Sequence, residues 1–306
     1  MFRGARLGRL CLAASAVLLA AACSSSSKDG GSATEKIPAP AIPAVLTEPA
    51  DGAAVALPLD GYGISSGDSL LFVQAREQAT RTCMQAKGFD YTPAAAGQKP
   101  PPPPIDSERL GILSLAAAKQ TGYHRPPPSA GGGSVVTAEG RPNESPEYGK
   151  ALNGDMRPGG PTAGTTADRG CHAAMDRQLA DAKIPEAKSD LVGDLRAQAH
   201  SLTGEDTRVR AALDAWSSCM KGLGYQYQTP VDASAAAWPD PVGQKERDTA
   251  TADMGCKTQA KLLATWYAVE EGYQKALIAR NESGLQAVKD AAAQRMAVVK
   301  KTLGGG

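Results

Sequence analysis

Apolar residues recur at helical spacing in two separate stretches of this chain. In the first stretch they lie on one face, at Phe72, Ala75, Ala79, Cys83 and Ala86. In the second stretch the same face is formed by Val209, Leu213, Trp216, Met220 and Leu223. Because residues three, four and seven positions apart share one side of an α-helix, both stretches are predicted to be amphipathic helices.

The same motif closes both predicted helices. A Cys-Met pair is followed by a glycine, an aromatic residue and a tyrosine at residues 83–91, and again at residues 219–227. Gly88 and Gly224 stand where a left-handed C-terminal cap is expected, and a proline follows soon after each motif. We therefore expect each helix to end here, with the aromatic residues packing back against it.

A second motif also occurs twice, as TADRGC at residues 166–171 and as TADMGC at residues 251–256. Thr and Asp side chains can accept hydrogen bonds from the free N–H groups of a first helical turn. Each copy is therefore predicted to start a helix, with its cysteine one turn in. In the first half another helix is expected after Pro185. In the second half the helix is expected to reach about residue 280, with another at residues 285–299.

Two motifs that recur in the same order indicate an internal duplication. Four cysteines remain when the two N-terminal ones are set aside, and they allow three disulfide pairings. In each half the first cysteine ends a helix and the second begins one, so the repeat predicts Cys83 with Cys171 and Cys219 with Cys256. Each bridge should contribute about 4 kcal/mol of stability. The rival interpretation, a four-thiolate metal site, lacks the C-x-x-C pair typical of such sites.

The predicted fold is all-α, with two duplicated three-helix units that are each clamped by one disulfide. The first unit covers residues 53–202 and the second covers residues 203–306. They differ mainly in a Pro/Gly-rich insert of the first unit, residues 93–165, which includes a run of five prolines. Within this insert we expect a short helix at residues 106–120 and partial disorder around residues 126–145.

Residues 1–22 have the features of an export signal, with three arginines before an apolar run that is too short to span a bilayer. The run closes on LAAAC at residues 19–23, followed by four serines. This resembles the lipobox of bacterial lipoproteins and implies acylation of Cys23, although Ala20 stands where leucine is usual. The alternative is ordinary secretion after an A-x-A site, with Cys23 left as a stray thiol.

Acyl chains would attach the mature protein to the outer face of the cell membrane, through a flexible lipidated stalk at residues 23–52. Without the signal, 30 basic and 32 acidic residues remain. This near balance, without a basic stripe, argues against nucleic acid as a partner. The three histidines lack the spacing of metal ligands, so no metal or cofactor is predicted.

One short motif, GISSG at residues 63–67, matches the G-x-S-x-G nucleophile elbow of hydrolases. That elbow requires a parallel sheet of many strands, and this chain shows hardly any strand pattern. The preferred interpretation is a turn in which Ser66 or Asp68 caps the first helix. An envelope hydrolase that uses Ser65 is the alternative, and no catalytic residue is assigned.

A few tryptophans and glutamates are the remaining candidates for a binding or catalytic role. Trp216 and Trp266 lie on helical stripes and are expected in the core. Trp238 lies in a loop, directly before a proline, and is the residue that we single out as a surface contact. Glu270 and Glu271 are adjacent on a predicted helix and so point to different sides, which argues against shared acid/base chemistry. Both are expected to be solvated.

Several segments together resemble the secreted lipoproteins of actinomycetes. They are the lipobox-like start, the repeated Cys-Met motif, and residues 62–64, 122–124, 148–154 and 266–270. That group has no established activity, so the resemblance implies a location and not a mechanism. The resulting hypothesis is a non-enzymatic interaction or binding module of the cell envelope, attached to the membrane by its lipid anchor and bound to an envelope protein. The alternative is an extracytoplasmic small-ligand-binding protein associated with a transporter.

Overall fold

The structure is a computed structural model, and it describes residues 37–92, 110–124, 145–154, 166–188 and 190–304. Within these ranges the chain is all-helical and contains no strand. The ten α-helices of the described ranges are α1 (Ser66–Ala86), α2 (Leu115–Thr121), α3 (Pro146–Asn153), α4 (Ala174–Asp181), α5 (Leu191–Glu205), α6 (Thr207–Gly222), α7 (Pro230–Ser234), α8 (Gln244–Gln259), α9 (Leu262–Arg280) and α10 (Glu282–Gly304). Short 3-10 helices are present at Pro58–Tyr62 and Thr166–Ala173.

Helix α9 lies at the centre of the fold. Its first turns are buried on every side, and its buried residues include Leu262, Trp266, Val269, Tyr273 and Leu277. Helices α5, α6, α8 and α10 and the 3-10 helix at Pro58–Tyr62 all pack against it. Because other elements cover most of its surface, α9 is the core helix of this layer, and Glu271 and Lys275 form the part of it that faces solvent.

The two halves of the chain interleave in a second layer. Helix α10, from the second half, packs along α1, from the first half, and α4 joins them. The shared contacts come from Ala75, Ala79, Met175 and Val299, all of which are buried. The described residues from Ile37 onward accordingly form one compact unit. The division into 53–202 and 203–306 stays a prediction about the origin of the two halves.

Two disulfides are present, with the pairing that the repeated motifs predicted. Cys83, near the end of α1, joins Cys171 in the 3-10 helix before α4, with 5.5 Å between their Cα atoms. Cys219, near the end of α6, joins Cys256 in α8, with 5.7 Å between their Cα atoms. Each bridge therefore ties the end of one helix to a buried position in another element.

The predicted helix ends at the Cys-Met motifs are confirmed. Gly88 and Gly224 adopt φ values of +82° and +91°, which only glycine tolerates easily. In each motif the following aromatic N–H donates to the carbonyl of the methionine five residues earlier, at 3.0 Å for Met84 and 2.9 Å for Met220. Both methionines are fully buried, so each turn is fastened to the helix that it ends.

The two hexapeptides do not have the same structure, and the prediction that each begins a helix is wrong for the second. TADMGC lies inside α8, which starts at Gln244, because the residues before it already form a helix. In TADRGC, Gly170 interrupts the 3-10 helix with φ +57°, and a Cβ there would lie 2.5 Å from the backbone nitrogen of Gly154. Gly255, the matching glycine, has open space around it. The two copies of the hexapeptide therefore differ in secondary structure and in packing.

Part of the predicted stalk is packed on the helices. From Ile37 to Tyr62 the chain crosses the fold as an extended segment and a 3-10 helix, called here the N-terminal strap (residues 37–62). Ile37 is 6% exposed and contacts the main core. The strap is rich in proline, which lacks an N–H and holds an extended backbone, so it can cross the helices without a partner strand. The flexible stalk predicted for residues 23–52 is therefore wrong from residue 37 onward.

Specific contacts attach the strap to the core. The carbonyl of Pro40 accepts a hydrogen bond from Arg208 at 2.9 Å, and its ring lies against Gly272, where a Cβ would come within 2.4 Å. Further along, the N–H of the fully buried Leu59 donates to Gln274 Oε1 at 2.9 Å. Small residues and amide side chains on α9 thus leave room for the strap and hold its backbone.

Other helix boundaries also differ from the prediction. The long helix expected from the second hexapeptide to residue 280 is broken at Lys261, which adopts φ +50° between α8 and α9. The helix expected after Pro185 begins at Leu191. Of the helix expected at 106–120, the structure describes α2, while residues 93–109 and 125–144 lie outside the described ranges. No helix of the described ranges is both long and apolar enough to cross a bilayer.

The start of α6 makes a prediction about acid stability. Asp206 caps this helix and accepts hydrogen bonds from the Arg208 guanidinium, the closer at 2.7 Å, and from Tyr273 OH at 3.3 Å. The Arg208 side chain is the main cause that lowers the pKa of Asp206 below its ordinary 3.8. The charged Asp206 carboxylate therefore contributes its full stabilisation above pH 3.8, and this contribution is lost as the pH falls through the lowered pKa.

We expect Asp206→Asn to lower the free energy of unfolding by about 1.5–3 kcal/mol near pH 7, because a charged acceptor is lost. The difference from the wild type should shrink below pH 3.8. Urea unfolding across pH measures it, and Asp214→Asn, exposed on the same helix, is the matched control. A difference that does not change with pH would contradict the prediction.

Candidate functional site

Helix α8 carries three charged residues on one buried face, called here the charged stripe (Glu246, Asp253 and Lys257). They are spaced seven and four positions apart, which places them on one side of the helix. Their relative exposures are 1%, 0% and 0%. This side of α8 faces α2 and the residues around it, because α2 and α8 pack directly against each other. Three charges sealed from solvent require partners of matching polarity.

Asp253 is the centre of the stripe. Its Oδ1 accepts a hydrogen bond from the Trp216 indole N–H at 2.8 Å. Its Oδ2 accepts from Lys257 Nζ at 3.0 Å and from Tyr123 OH at 3.3 Å. The carboxylate therefore joins α6, α8 and the residue two positions after α2. Burial, and then the Asp253 charge, raise the pKa of the Tyr123 phenol, so it stays protonated and can donate.

Lys257 makes the second connection. Its Nζ donates to the backbone carbonyl of Ile112 at 2.7 Å, in addition to its contact with Asp253. Burial raises the pKa of the Asp253 carboxyl and lowers the pKa of the Lys257 amine, while their mutual contact opposes both shifts. The two groups lie in a site where each needs the other, since either charge alone would be left buried without compensation.

Glu246 contacts the C-terminal end of the segment 112–124, whose first residue accepts from Lys257. Its Oε1 accepts hydrogen bonds from the backbone N–H groups of Tyr123 at 2.8 Å and His124 at 3.2 Å, and lies 2.8 Å from His124 Nδ1. Gly122 has φ +58°, and a Cβ there would come within 2.5 Å of Glu246 Oε1. Only glycine allows the chain to approach the carboxylate this closely. Glu246 therefore fixes residues 122–124 onto α8.

The stripe is a structural device in this arrangement. Its three side chains are sealed from solvent and hold residues 112–124 of the insert against the second half of the chain. A catalytic acid or base must come within hydrogen-bond distance of its substrate. The described contacts of Asp253 and Lys257 are with each other and with neighbouring residues of the protein. These groups therefore hold residues 112–124 against α8, where the segment forms a wall of the fold.

That wall borders an open groove. The groove has a volume of about 590 Å³ and lies between the strap, α2, α8 and the start of α9. Its lining is mainly apolar, and the residues are Glu48, Pro49, Asp51, Leu113, Leu115, Ala116, Lys119, Gln120, Met254, Gly255, Thr258 and Leu263. The charged stripe and the apolar contacts of Leu113 and Ala118 together hold this side of the groove against α8.

Two acidic residues of the strap line the groove, and each lies near the start of a helix. Asp51 accepts hydrogen bonds from the N–H groups of Leu115 and Ala116 at the start of α2. The backbone N–H of Ala264, at the start of α9, favours the charged form of Glu48 and so acts to lower its pKa. Burial raises the pKa of Glu48, and its Oε1 is buried without a hydrogen-bond partner among the described residues. The strap therefore forms one side of the groove.

Trp238, the residue predicted as a surface contact, is half-buried. Its ring stacks on Tyr123, with 5.5 Å between the ring centroids and 25° between the planes. Its indole N–H donates to the carbonyl of Ala233 at 2.9 Å. Trp238 thus covers the tyrosine that contacts the charged stripe. A role as a surface contact stays a prediction.

Other sequence-predicted positions have different roles. Ser65, and not Ser66 or Asp68, is the N-cap of α1, and its hydroxyl accepts a hydrogen bond from the Asp68 N–H at 2.9 Å. Glu270, expected to be solvated, is fully buried and accepts from Trp266 Nε1 at 2.8 Å. Glu271, the next residue, is exposed, as expected. Cys23, the predicted lipidation site, lies outside the described residues.

The apolar spacing of the sequence gives no sign of the charged stripe. Within α8 the large apolar residues are few, so the helix shows no clear apolar face. A signal was present in the spacing of Glu246, Asp253 and Lys257, which places three charges on one side. Their partners, Tyr123 and Ile112, lie more than a hundred positions earlier in the chain. No local pattern relates such distant residues.

No group of three or more His, Cys, Asp or Glu side chains within the described ranges is arranged to hold a metal ion. Comparison of the chain with models of known protein families, with curated proteins and with solved structures finds no match among any of them. The function must therefore be argued from the groove, the strap and the N-terminal sequence.

The buried pair predicts a large loss of stability in one variant. We expect Lys257→Met to lower the free energy of unfolding by about 3–5 kcal/mol, because Asp253 is then buried without its cation. Adding Asp253→Asn should recover part of this loss, since the carboxylate left without its cation is then removed. Urea unfolding of both variants measures the effect.

Lys245→Met, on the exposed side of the same helix, is the matched control and should change stability by less than about 0.5 kcal/mol. If Lys257→Met and Lys245→Met had equal stability, the proposed role of the pair would be wrong.

Proposed function

We propose that this protein is a lipid-anchored, extracytoplasmic, non-enzymatic binding module of the cell envelope, held at the membrane by acyl chains on Cys23. The support for the anchor is the export signal, the LAAAC segment and the polar residues that follow it. The resemblance to secreted lipoproteins of actinomycetes belongs to the same proposal and supports the location. The expected partner is another envelope protein.

One observation carries the binding role. The groove is open and mainly apolar, whereas Asp253 and Lys257 lie fully buried in contacts within the protein. A recess with an apolar interior and few polar groups is typical of a binding site. Chemistry on a bound molecule would need acid, base or nucleophilic groups that reach it. Ser65, the residue of the hydrolase alternative, is occupied in capping α1.

The volume of the groove favours a second candidate, an extracytoplasmic small-ligand-binding protein associated with a transporter. Sites for small molecules usually have volumes of about 300–1,000 Å³. The groove, at about 590 Å³, falls inside that range. A thermal-shift comparison with candidate ligands separates this function from binding of a protein partner alone.

We also propose that the two halves of the chain arose by duplication of a three-helix unit. The support is the matched structure of the two Cys-Met turns, with equivalent hydrogen bonds and glycine caps, and a disulfide that starts from each turn. The third helices of the two proposed units, α5 and α10, contact each other. The insert would then be an addition to the first copy, held by the second copy through the charged stripe.

The anchor is tested by metabolic labelling with an alkyne fatty acid. We expect the wild-type protein to carry the label and Cys23→Ser to lose it completely, because the thiol is the acylated group. Cys11→Ser, which changes the other N-terminal cysteine, is the matched control and should keep the label. An unlabelled wild-type protein, released as a soluble product, would favour the ordinary secretion alternative.

The partner is tested by photo-crosslinking on intact membranes. A photoreactive residue at Ala116, which lines the groove, should give one adduct of defined mass. The same residue at Arg81, exposed on α1, should give none. Equal adducts from both positions, or none from either, would contradict a protein-binding role for the groove.

A further inference from the structure

The first part of the strap carries no charged side chain. Residues 37–47 read IPAPAIPAVLT, in a chain in which Lys, Arg, Asp and Glu make up 21% of all residues. Val45 is 83% exposed, the highest value among the large apolar side chains of the described ranges. A continuous apolar segment that faces solvent indicates a contact surface, whereas single exposed apolar residues do not. The exposed positions of this segment are Pro38, Ala39, Ala41, Pro43, Ala44, Val45 and Thr47.

The strap bends outward in this segment for a geometric reason. The ring of Pro40 lies against Gly272, and Glu48 interacts with the backbone N–H of Ala264. These two positions of α9 are separated by a rise of about 12 Å, whereas the strap between them could span about 27 Å if it were extended. The excess length is taken up by a bend in residues 41–47, called here the strap bend.

The strap is also the part of the described chain that lies nearest in sequence to the proposed anchor. Residues 24–36 separate Cys23 from Ile37, where the described chain begins. A segment of this length spans at most about 50 Å, and about 20 Å on average when it is rich in Gly and Ser, as this one is. Ile37 is buried in the main core, so the fold holds the chain only a few residues before the strap bend. Acyl chains on Cys23 would therefore keep this bend close to the bilayer.

We infer that the strap bend is a second membrane contact, in which Val45 lies among the lipid headgroups while the acyl chains hold Cys23. The inference rests on the proposed lipid anchor and names the surface of the protein that faces the bilayer. One valine side chain buries too little area to bind a membrane alone. The tether makes the contact intramolecular and gives it a high effective concentration, so that a weak contact becomes populated. Glu48 and Pro49 follow the strap bend and line the groove, which would then lie near the membrane surface.

The test tethers the protein chemically, so that it does not depend on acylation in cells. The mature chain from Cys23 is exported through a cleavable signal so that both disulfides form, which leaves Cys23 as its free thiol. This thiol is coupled to a maleimide-bearing lipid in phosphatidylcholine vesicles. A dansyl-bearing amino acid replaces Ala44, and lipids with a nitroxide near the headgroup quench it on contact. We expect quenching at least about fivefold stronger than for the same probe at Ala293, exposed on α10.

Variants of Val45 separate an apolar contact from mere proximity to the bilayer. Val45→Asp should reduce the quenching at residue 44 to the level of the α10 probe, because a carboxylate is costly to move into a membrane. Val45→Leu should retain the quenching. Ala235→Asp adds the same charge at an exposed position outside the strap and should also retain it. Both substituted positions are exposed, so folding should not change, and thermal unfolding of each variant checks this.

Equal quenching at residues 44 and 293, or quenching at residue 44 that Val45→Asp leaves unchanged, would overturn the inference. If the wild-type protein carries the fatty-acid label in cells, such a result refutes the membrane contact alone and the proposed anchor stands. An unlabelled wild-type protein would refute the anchor, and with it the contact, whatever the vesicles show.

Discussion

The contact between Asp253 and Lys257 inside α8 is the interaction on which the rest of this structure depends. Both side chains are sealed from solvent, so each is tolerable only with the other and with donors and acceptors from elsewhere. Trp216, Tyr123 and the carbonyl of Ile112 supply those groups. An apolar replacement could be equally stable, but it would not require one particular segment to dock at one particular register. The pair therefore determines where the insert crosses the second half of the chain, and with it the wall of the groove.

The strap and the disulfides add further connections between the helices that surround the charged stripe. Glu48 and Asp51 place the strap at the starts of α9 and α2, so one short segment links the central helix to the helix that the charged stripe holds. The disulfides fasten the ends of α1 and α6, the two helices that carry the repeated motif. Interleaving of α1 with α10 then joins the halves. A chain with few aromatic residues thus obtains its order from bridges and buried polar contacts as much as from its apolar core.

Sequence patterns predicted those parts of the fold that depend on neighbours along the chain. Apolar spacing located α1 and α6, and the glycines at 88 and 224 located their ends, because a left-handed cap is a local requirement. The repeat was sufficient to pair the four cysteines. The strap was not predictable, because its composition matches that of a flexible linker and its order comes from contacts with Gly272 and Arg208. The two donors to Glu270, which are Trp266 and Gln274, lie four positions away on the same helix, but its burial was not predictable, because it results from the helices that pack around α9.

Native-state hydrogen exchange of α2 tests the central claim most directly. A helix of this length does not persist alone in water, so protection of its amides reports its attachment to α8. The account predicts that the N–H groups of Ala118 and Gly122, both hydrogen-bonded within this segment, exchange as slowly as those in the middle of α8. Exchange of these two amides at the rate of an unstructured peptide, while α8 remains protected, would show that the charged stripe does not hold the segment and would contradict the account.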